Sequence, residues 1–256
     1  HTATNISGSY FALGDVVSDS SASAAFLLWA LDEATPTNAS QRFAVAGNLR
    51  YTDADGVELT IPLLPDIIEV EPRPLLEVRY FHEFMVFGDN PFTEDVVEPP
   101  VPFSLGLMLL NHGNGTAHDM RMATAQPQIV ENEKGLLNSF KILGVQVGLG
   151  PSQNNTLTAD FGDVGPSSVI VAQWHMTSVL QGFFSNISAT FEHTILVDGV
   201  LPEVELTLID EVSIWPMQRT VRYMWPDDGM PDFLVYSQGV PGNGSLPDAI
   251  HSSDGG

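Results

Sequence analysis

Asparagines carry the one chemistry that this sequence offers repeatedly. Asn5, Asn38, Asn114, Asn154, Asn186 and Asn243 each stand two positions ahead of a Ser or Thr, with no proline between. The side-chain amide of such a triplet is the acceptor for an N-linked glycan. With 12 Asn and 36 Ser plus Thr in 256 residues, chance placement gives roughly two triplets. The excess points to a secreted, glycosylated chain, extracellular or at the cell surface. All but Asn186 lie beside Gly, Ser, Pro or polar clusters, where a surface loop is expected.

The remaining reactive side chains do not converge. His82, His112, His118, His175 and His193 show no His-x-x-x-His or His-Glu-x-x-His spacing, so no metal centre is expected from them. Asp53-Ala-Asp55-Gly56 has the flavour of a calcium loop but lacks the full ligand set, and as a hairpin turn it needs no metal. The acidic stretches Asp89–Asp95 and Asp227-Asp228 could take weak Ca2+ from the medium. Cysteine is absent, which removes disulfides, thiolate metal sites and a thiol nucleophile. No Gly-x-Ser-x-Gly, P-loop or Gly-x-Gly-x-x-Gly occurs. The 32 acids scattered along the chain single out no pair for glycoside hydrolysis. The expectation is a protein that is not an enzyme, with no cofactor beyond covalent N-glycans.

Bulk properties agree with an exposed, self-repelling surface. Nine Lys plus Arg against 32 Asp plus Glu leave a net charge of −23, which repels nucleic acid and anionic lipid. Hydrophobic content of 43% is enough for a folded core. No apolar run is long enough for a membrane span.

The elements that must position the glycan sites come from a repeat. Phe11-Ala-Leu-Gly14-Asp15-Val16, Ala25-Phe-Leu-Leu-Trp29, Asp55-Gly56 and Val57-Glu58-Leu59-Thr60 recur as Ala159-Asp-Phe-Gly162-Asp163-Val164, Val171-Ala-Gln-Trp174, Asp198-Gly199 and Val204-Glu205-Leu206-Thr207. The copies run in the same order about 145 residues apart, a period that marks related domains rather than a solenoid. The second copy is preceded by residues 74–158, whereas only residues 1–13 precede the first. The first copy therefore reads as the back half of a domain whose front half is missing.

Within the copies, residues 42–51 and 57–63 alternate in hydrophobicity around Asp55-Gly56, which predicts an antiparallel hairpin. Pro62, Pro65, Pro72 and Pro74 then predict an extended linker with a boundary near Pro72. Beyond it, short alternating runs every 8–15 residues predict an antiparallel β-sandwich over 73–225. Glu131–Leu137 suggests a helical turn. Trp29 and Trp174 read as core, whereas Trp215 and Trp225, near prolines, are the aromatics left for a partner face. Phe233-Leu234-Val235-Tyr236 is a β-prone run in a polar tail spanning 226–256, and a lone strand needs a partner.

Several ordered motifs carry a resemblance: Tyr80-Phe-His82, Gly88-Asp-Asn-Pro-Phe-Thr93, Glu98-Pro-Pro-Val-Pro102, Asn111-His-Gly-Asn-Gly-Thr-Ala117, Ala125-Gln-Pro-Gln-Ile-Val130, Ser178-Val-Leu-Gln-Gly-Phe183 and Pro231-Asp-Phe-Leu-Val235. With them the chain resembles an Ig-like β-sandwich module that recurs in very large extracellular proteins, and the subunits of glycosylated extracellular fibrils recovered from environmental water. The resemblance covers most of residues 40–255 and implies a structural, surface-exposed role with no active site to transfer. One departure is Tyr236-Ser-Gln in place of the tail's usual polar pattern.

The expectation is all-β: two Ig-like antiparallel sandwiches, residues 1–72 incomplete and 73–225 complete, with 226–256 an extended tail. In this reading the tail run Phe233, Leu234, Val235, Tyr236 completes the first domain of the next subunit, and copies of the chain assemble head-to-tail into a helical homopolymer. The competing expectation is an adhesin or carbohydrate-binding module of a larger surface protein.

Overall fold

The computed structural model describes residues 10–26, 28, 30, 34–35, 39–93, 95–128, 139–153, 156–183, 186–193, 209–223, 227–239 and 244–256. The chain is all-β, with sixteen strands among the described residues. It divides into two compact units, His1–Pro72 and Arg73–Gly256.

The first unit contains β1 (Gln41–Val45), β2 (Asn48–Thr52), β3 (Glu58–Pro62) and β4 (Asp66–Val70). They form separate antiparallel pairs, β1 with β4 and β2 with β3. The β2–β3 turn is the expected Asp-Gly hairpin. Gly56 takes φ +79°, a region open to glycine without steric cost. The Asp53 carboxylate accepts the Asp55 and Val57 amides at 3.0 and 2.9 Å. Among the described residues of this unit no apolar side chain is buried.

The second unit contains β5 (Leu76–Glu83), β6 (Met85–Val86), β7 (Phe103–Asn111), β8 (Ala117–Gln128), β9 (Phe140–Val147), β10 (Ala159–Val164), β11 (Val169–Ser178), β12 (Gly182–Phe183), β13 (Asn186–His193), β14 (Ile209–Val221), β15 (Asp232–Val235) and β16 (Ala249–His251). A seven-stranded sheet runs in the order β16-β15-β14-β5-β7-β11-β9, and a three-stranded sheet runs β10-β8-β13. Leu76, Val78, Leu105, Leu107, Leu109 and Trp174 of the larger sheet pack with Met120, Met122, Ala159, Phe161 and Val164 of the smaller one, all buried. Alternate residues of each strand face this shared core, which is the packing of a sandwich. A second cluster on the opposite face of the larger sheet joins Phe81, Met108, Leu110, Val171, Met217, Phe233 and Val235. Strand β7, buried along its whole length, feeds both clusters.

Two expectations change. The larger sheet is mixed rather than antiparallel, because β14 lies parallel to β5. The long excursion from β5 to β14 lets the chain return in the same direction, which a hairpin cannot do. β14 runs through Trp215-Pro216 to Val221. Proline lacks the N–H, but its carbonyl still accepts the Tyr236 amide at 3.0 Å. The tail is not a separate extended segment: β15 pairs with β14 on one side and β16 on the other, so the second unit runs to Gly256. The suggested helical turn at 131–137 lies outside the described residues.

Candidate functional site

Among the described residues, the β2–β3 ribbon pairs with no further strand. Its register opposes Leu49 to Ile61 and Tyr51 to Leu59 on one face, with Arg50 opposite Thr60 and Thr52 opposite Glu58 on the other. Val57 and Leu63 continue the apolar alternation. These apolar side chains are exposed by 38–52%, while the polar face closes on itself through Arg50 Nε and Glu58 Oε1 at 3.2 Å. A two-stranded ribbon with an uncovered apolar face is marginal in water and marks a contact surface.

Upstream of it, the repeat has two outcomes. Ala159–Val164 and Val169–Ser178 are strands, with Trp174 fully buried. Their counterparts, residues 11–16 and 24–30, form no strand among the described residues, and Phe11, Val16, Val17 and Phe26 are exposed. Trp29 lies outside the described residues.

The run expected to be lent to a neighbour is held at home. Phe233 stacks on Phe81, ring centroids 4.1 Å apart and 4° from parallel. The Phe233 ring fills the space where a β-carbon at Gly106 would stand. Leu234 pairs with Arg219 and Ile250, and Val235 with Met217 and Ala249. Tyr236 donates its amide to Pro216. Just before them the buried Asp232 carboxylate accepts the Tyr223 amide at 2.6 Å, the Ser253 amide at 2.9 Å, and the Ser252 and Ser253 hydroxyls at 3.3 and 3.1 Å. Burial of such an acceptor is tolerable when donors surround it. Nothing in the local pattern of Pro231-Asp232-Phe233 distinguished this aspartate from an exposed turn residue; the later Ser252-Ser253 pair was the only cue.

Of the glycan sites, Asn114 is exposed on the turn between β7 and β8, and Asn186 opens β13 opposite Gln128. Asn5, Asn38, Asn154 and Asn243 lie outside the described residues. The Asn114 turn is organised by the buried Asn111, a residue the sequence pattern did not single out. Asn111 Nδ2 donates to the carbonyls of Gly115, Val164 and Gly165 at 2.8–3.1 Å, and its Oδ1 accepts the Leu75 and Gly113 amides.

Asp89, Asp227 and Asp228, from the stretches suggested for calcium, are hydrogen-bonded within the fold, while Glu94 lies outside the described residues. Asp89 accepts the Glu98 amide, and Glu98 accepts the Asn90 amide and the Thr93 hydroxyl, which holds its carboxyl below the usual range. Asp227 accepts from Arg222 and Gly229, and Asp228 from Met230 and Ser253. Among the described residues no three His, Asp or Glu side chains gather as a metal site.

The histidines are dispersed. His112 Nε2 meets Glu77 at 2.7 Å, and the Glu77 carboxyl is held low by its bond to Arg79. His118 pairs with Asp163, and His251 tilts against Trp215 at 4.7 Å. The described side chains closest to a nucleophile pair are Ser104 Oγ and His175 Nδ1, 3.4 Å apart. Ser104 is buried near the start of β7 and its amide is committed to Glu83, so it presents neither an accessible nucleophile nor an oxyanion donor. An open pocket of about 420 Å3 lined by the end of β9, β10 and the start of β11 offers Gln153 and Asp160 as its polar side chains.

Among the described residues no helix is long and apolar enough to cross a membrane. Comparison with protein-family models, curated proteins and solved structures returns no match.

Proposed function

We propose that the protein is a structural subunit of a glycosylated extracellular filament, repeated along the fibre and joined to its neighbours by β-strand complementation at the first unit. The observation that carries this reading is the uncovered apolar face of the β2–β3 ribbon, in a unit whose described residues bury no apolar side chain. Exposed sheet edges and faces recruit strands from other chains, and a contact between unlike surfaces propagates into a filament rather than closing a ring of two. The Ig-like identity of the sandwich and the incompleteness of the first unit belong to this proposal. Glycans at Asn114 and the other sequons, with the net charge of −23, would coat the fibre and suppress lateral aggregation.

The test is electron microscopy of native extracellular material, with an antibody to the second unit. Filaments labelled at a regular axial repeat are expected. Label confined to isolated particles would sink the fibre and leave the adhesin reading.

A further inference from the structure

Strand β16 is short, and side chains rather than its ladder fix it in place. Its backbone pairs Ala249 with Val235, Ile250 with Leu234 and His251 with Phe233. The His251 ring lies 4.7 Å from the Trp215 ring of β14 and 5.2 Å from the Phe81 ring of β5. Its Nδ1 stands 3.4 Å from Nη1 of Arg79, also on β5. Arg79 is held in turn, because its Nε and Nη2 donate to the two Glu77 oxygens at 2.6 and 3.3 Å. His112 Nε2 meets the same carboxylate at 2.7 Å. The residues after β16 lie over the second apolar cluster: a β-carbon on Gly255 would stand 2.9 Å from Val169 and 3.5 Å from Leu110.

This arrangement suits only a neutral histidine. A guanidinium offers donors and no acceptor, so the contact requires a bare Nδ1 with the ring proton on Nε2. A second proton would set two cations 3.4 Å apart against aromatic rings that shield them from water. Few other groups face the ring to offset that repulsion. β5 presents Arg79 and Glu77, and Glu77 is already shared between Arg79 and His112. β14 presents Trp215, whose Nε1 donates to Ser213 at 3.0 Å, and its Glu211 is exposed further along the strand. The β15 carboxylate, Asp232, is occupied by Tyr223, Ser252 and Ser253. Asp248 and Asp254, on either side of β16, accept from Ser237 and Gly256. Burial and the Arg79 charge lower the His251 pKa against the opposing pull of Glu77.

We propose that His251 is an acid-sensitive latch: its protonation loosens β16 and the residues after it from the second face of the larger sheet, transiently uncovering Leu110 and Val169. The open form binds the proton that the closed form refuses. Opening is therefore favoured as pH falls through about 6.5, the ordinary histidine value, and the gain between pH 7.5 and 5 is bounded near thirtyfold. Opening must also break the Asp232 bonds at either pH, so protonation makes a rare event more frequent and does not free the tail outright. The latch works within one chain and does not depend on the filament.

The test is amide hydrogen exchange of the full chain at pH 7.5 and pH 5, each amide referred to its intrinsic rate. Protection at 249–253 should fall about tenfold or more at pH 5, while staying below that of β7 at both pH values. Protection equal to that of β7 would mean that only unfolding of the whole unit exposes β16, and would overturn the latch. His251→Gln supplies a neutral acceptor that does not titrate, and protection at 249–253 should then be nearly level between the two pH values. A His251→Gln chain that keeps the wild-type fall would overturn the proposal. NMR titration of the His251 ring in the wild-type chain needs no variant: a midpoint below 6.5 is expected, and one at or above it overturns the latch. Arg79→Gln should raise that midpoint; an unmoved midpoint would overturn the part given to Arg79.

Discussion

Asp232 is a carboxylate in an apolar setting whose donors all come from chain that precedes or follows the tail hairpin: the Tyr223 amide on one side, Ser252 and Ser253 on the other. Asp232→Ala leaves those donors without an acceptor, and bonds to a charged group are the costly ones to lose. The expected loss is about 3 kcal/mol in urea unfolding, with faster exchange at 249–253; an unchanged midpoint would show that the serines find other acceptors. His82 is the complementary case. It is buried, its Nδ1 has no partner among the described residues, and burial pushes its pKa below the ordinary 6.5. The unfolded chain therefore binds a proton that the folded chain refuses, so this contribution to stability is present above about pH 6.5 and is lost as pH falls. His175 and His251, also lowered by burial, act in the same direction. Stability should decline from pH 7 to 5, and His82→Leu should make that slope shallower. An identical slope would assign the dependence to the other histidines.

At the scale of elements, β15 and β16 are held by one close approach. Gly106 on β7 has no β-carbon, and the Phe233 ring occupies that space against Phe81. Gly106→Ala should push the ring out at a cost of about 1–3 kcal/mol. Phe233→Ala should cost about 3–5 kcal/mol by leaving a void. Both should raise exchange across β15 and β16 before the rest of the sheet opens. The β7–β8 turn makes a different prediction. Asn111 fixes its backbone from beneath while Asn114 points outward. Asn114→Gln should remove one glycan by mass spectrometry with no change in unfolding midpoint, whereas Asn111→Ala should destabilise by about 2–3 kcal/mol.

For the whole molecule, the unequal units should melt unequally. Unfolding enthalpy scales with the residues that unfold cooperatively, so the second unit alone gives about 130 kcal/mol near 60 °C and the full chain about 180 kcal/mol. A first unit whose described residues bury no apolar side chain contributes little to the heat peak, and calorimetry should return the smaller figure for the isolated chain. The larger figure would mean that residues 1–72 already fold as a cooperative body.

Much of the fold was legible. The all-β class and the Asp-Gly hairpin follow from alternation and turn residues, which act over a few positions. Within the site, the alternation of Leu49, Tyr51, Leu59 and Ile61 was visible in the sequence. Three things were decided only by tertiary structure: that β14 runs parallel to β5, that Phe233–Val235 finds its partners in its own chain, and that the same block is β-strand at 159–178 but not among the described residues of 11–30. The reason is common to all three. A strand is completed by hydrogen bonds and packing from a neighbour distant in sequence, so a local pattern can say that a segment is ready to pair without saying with what.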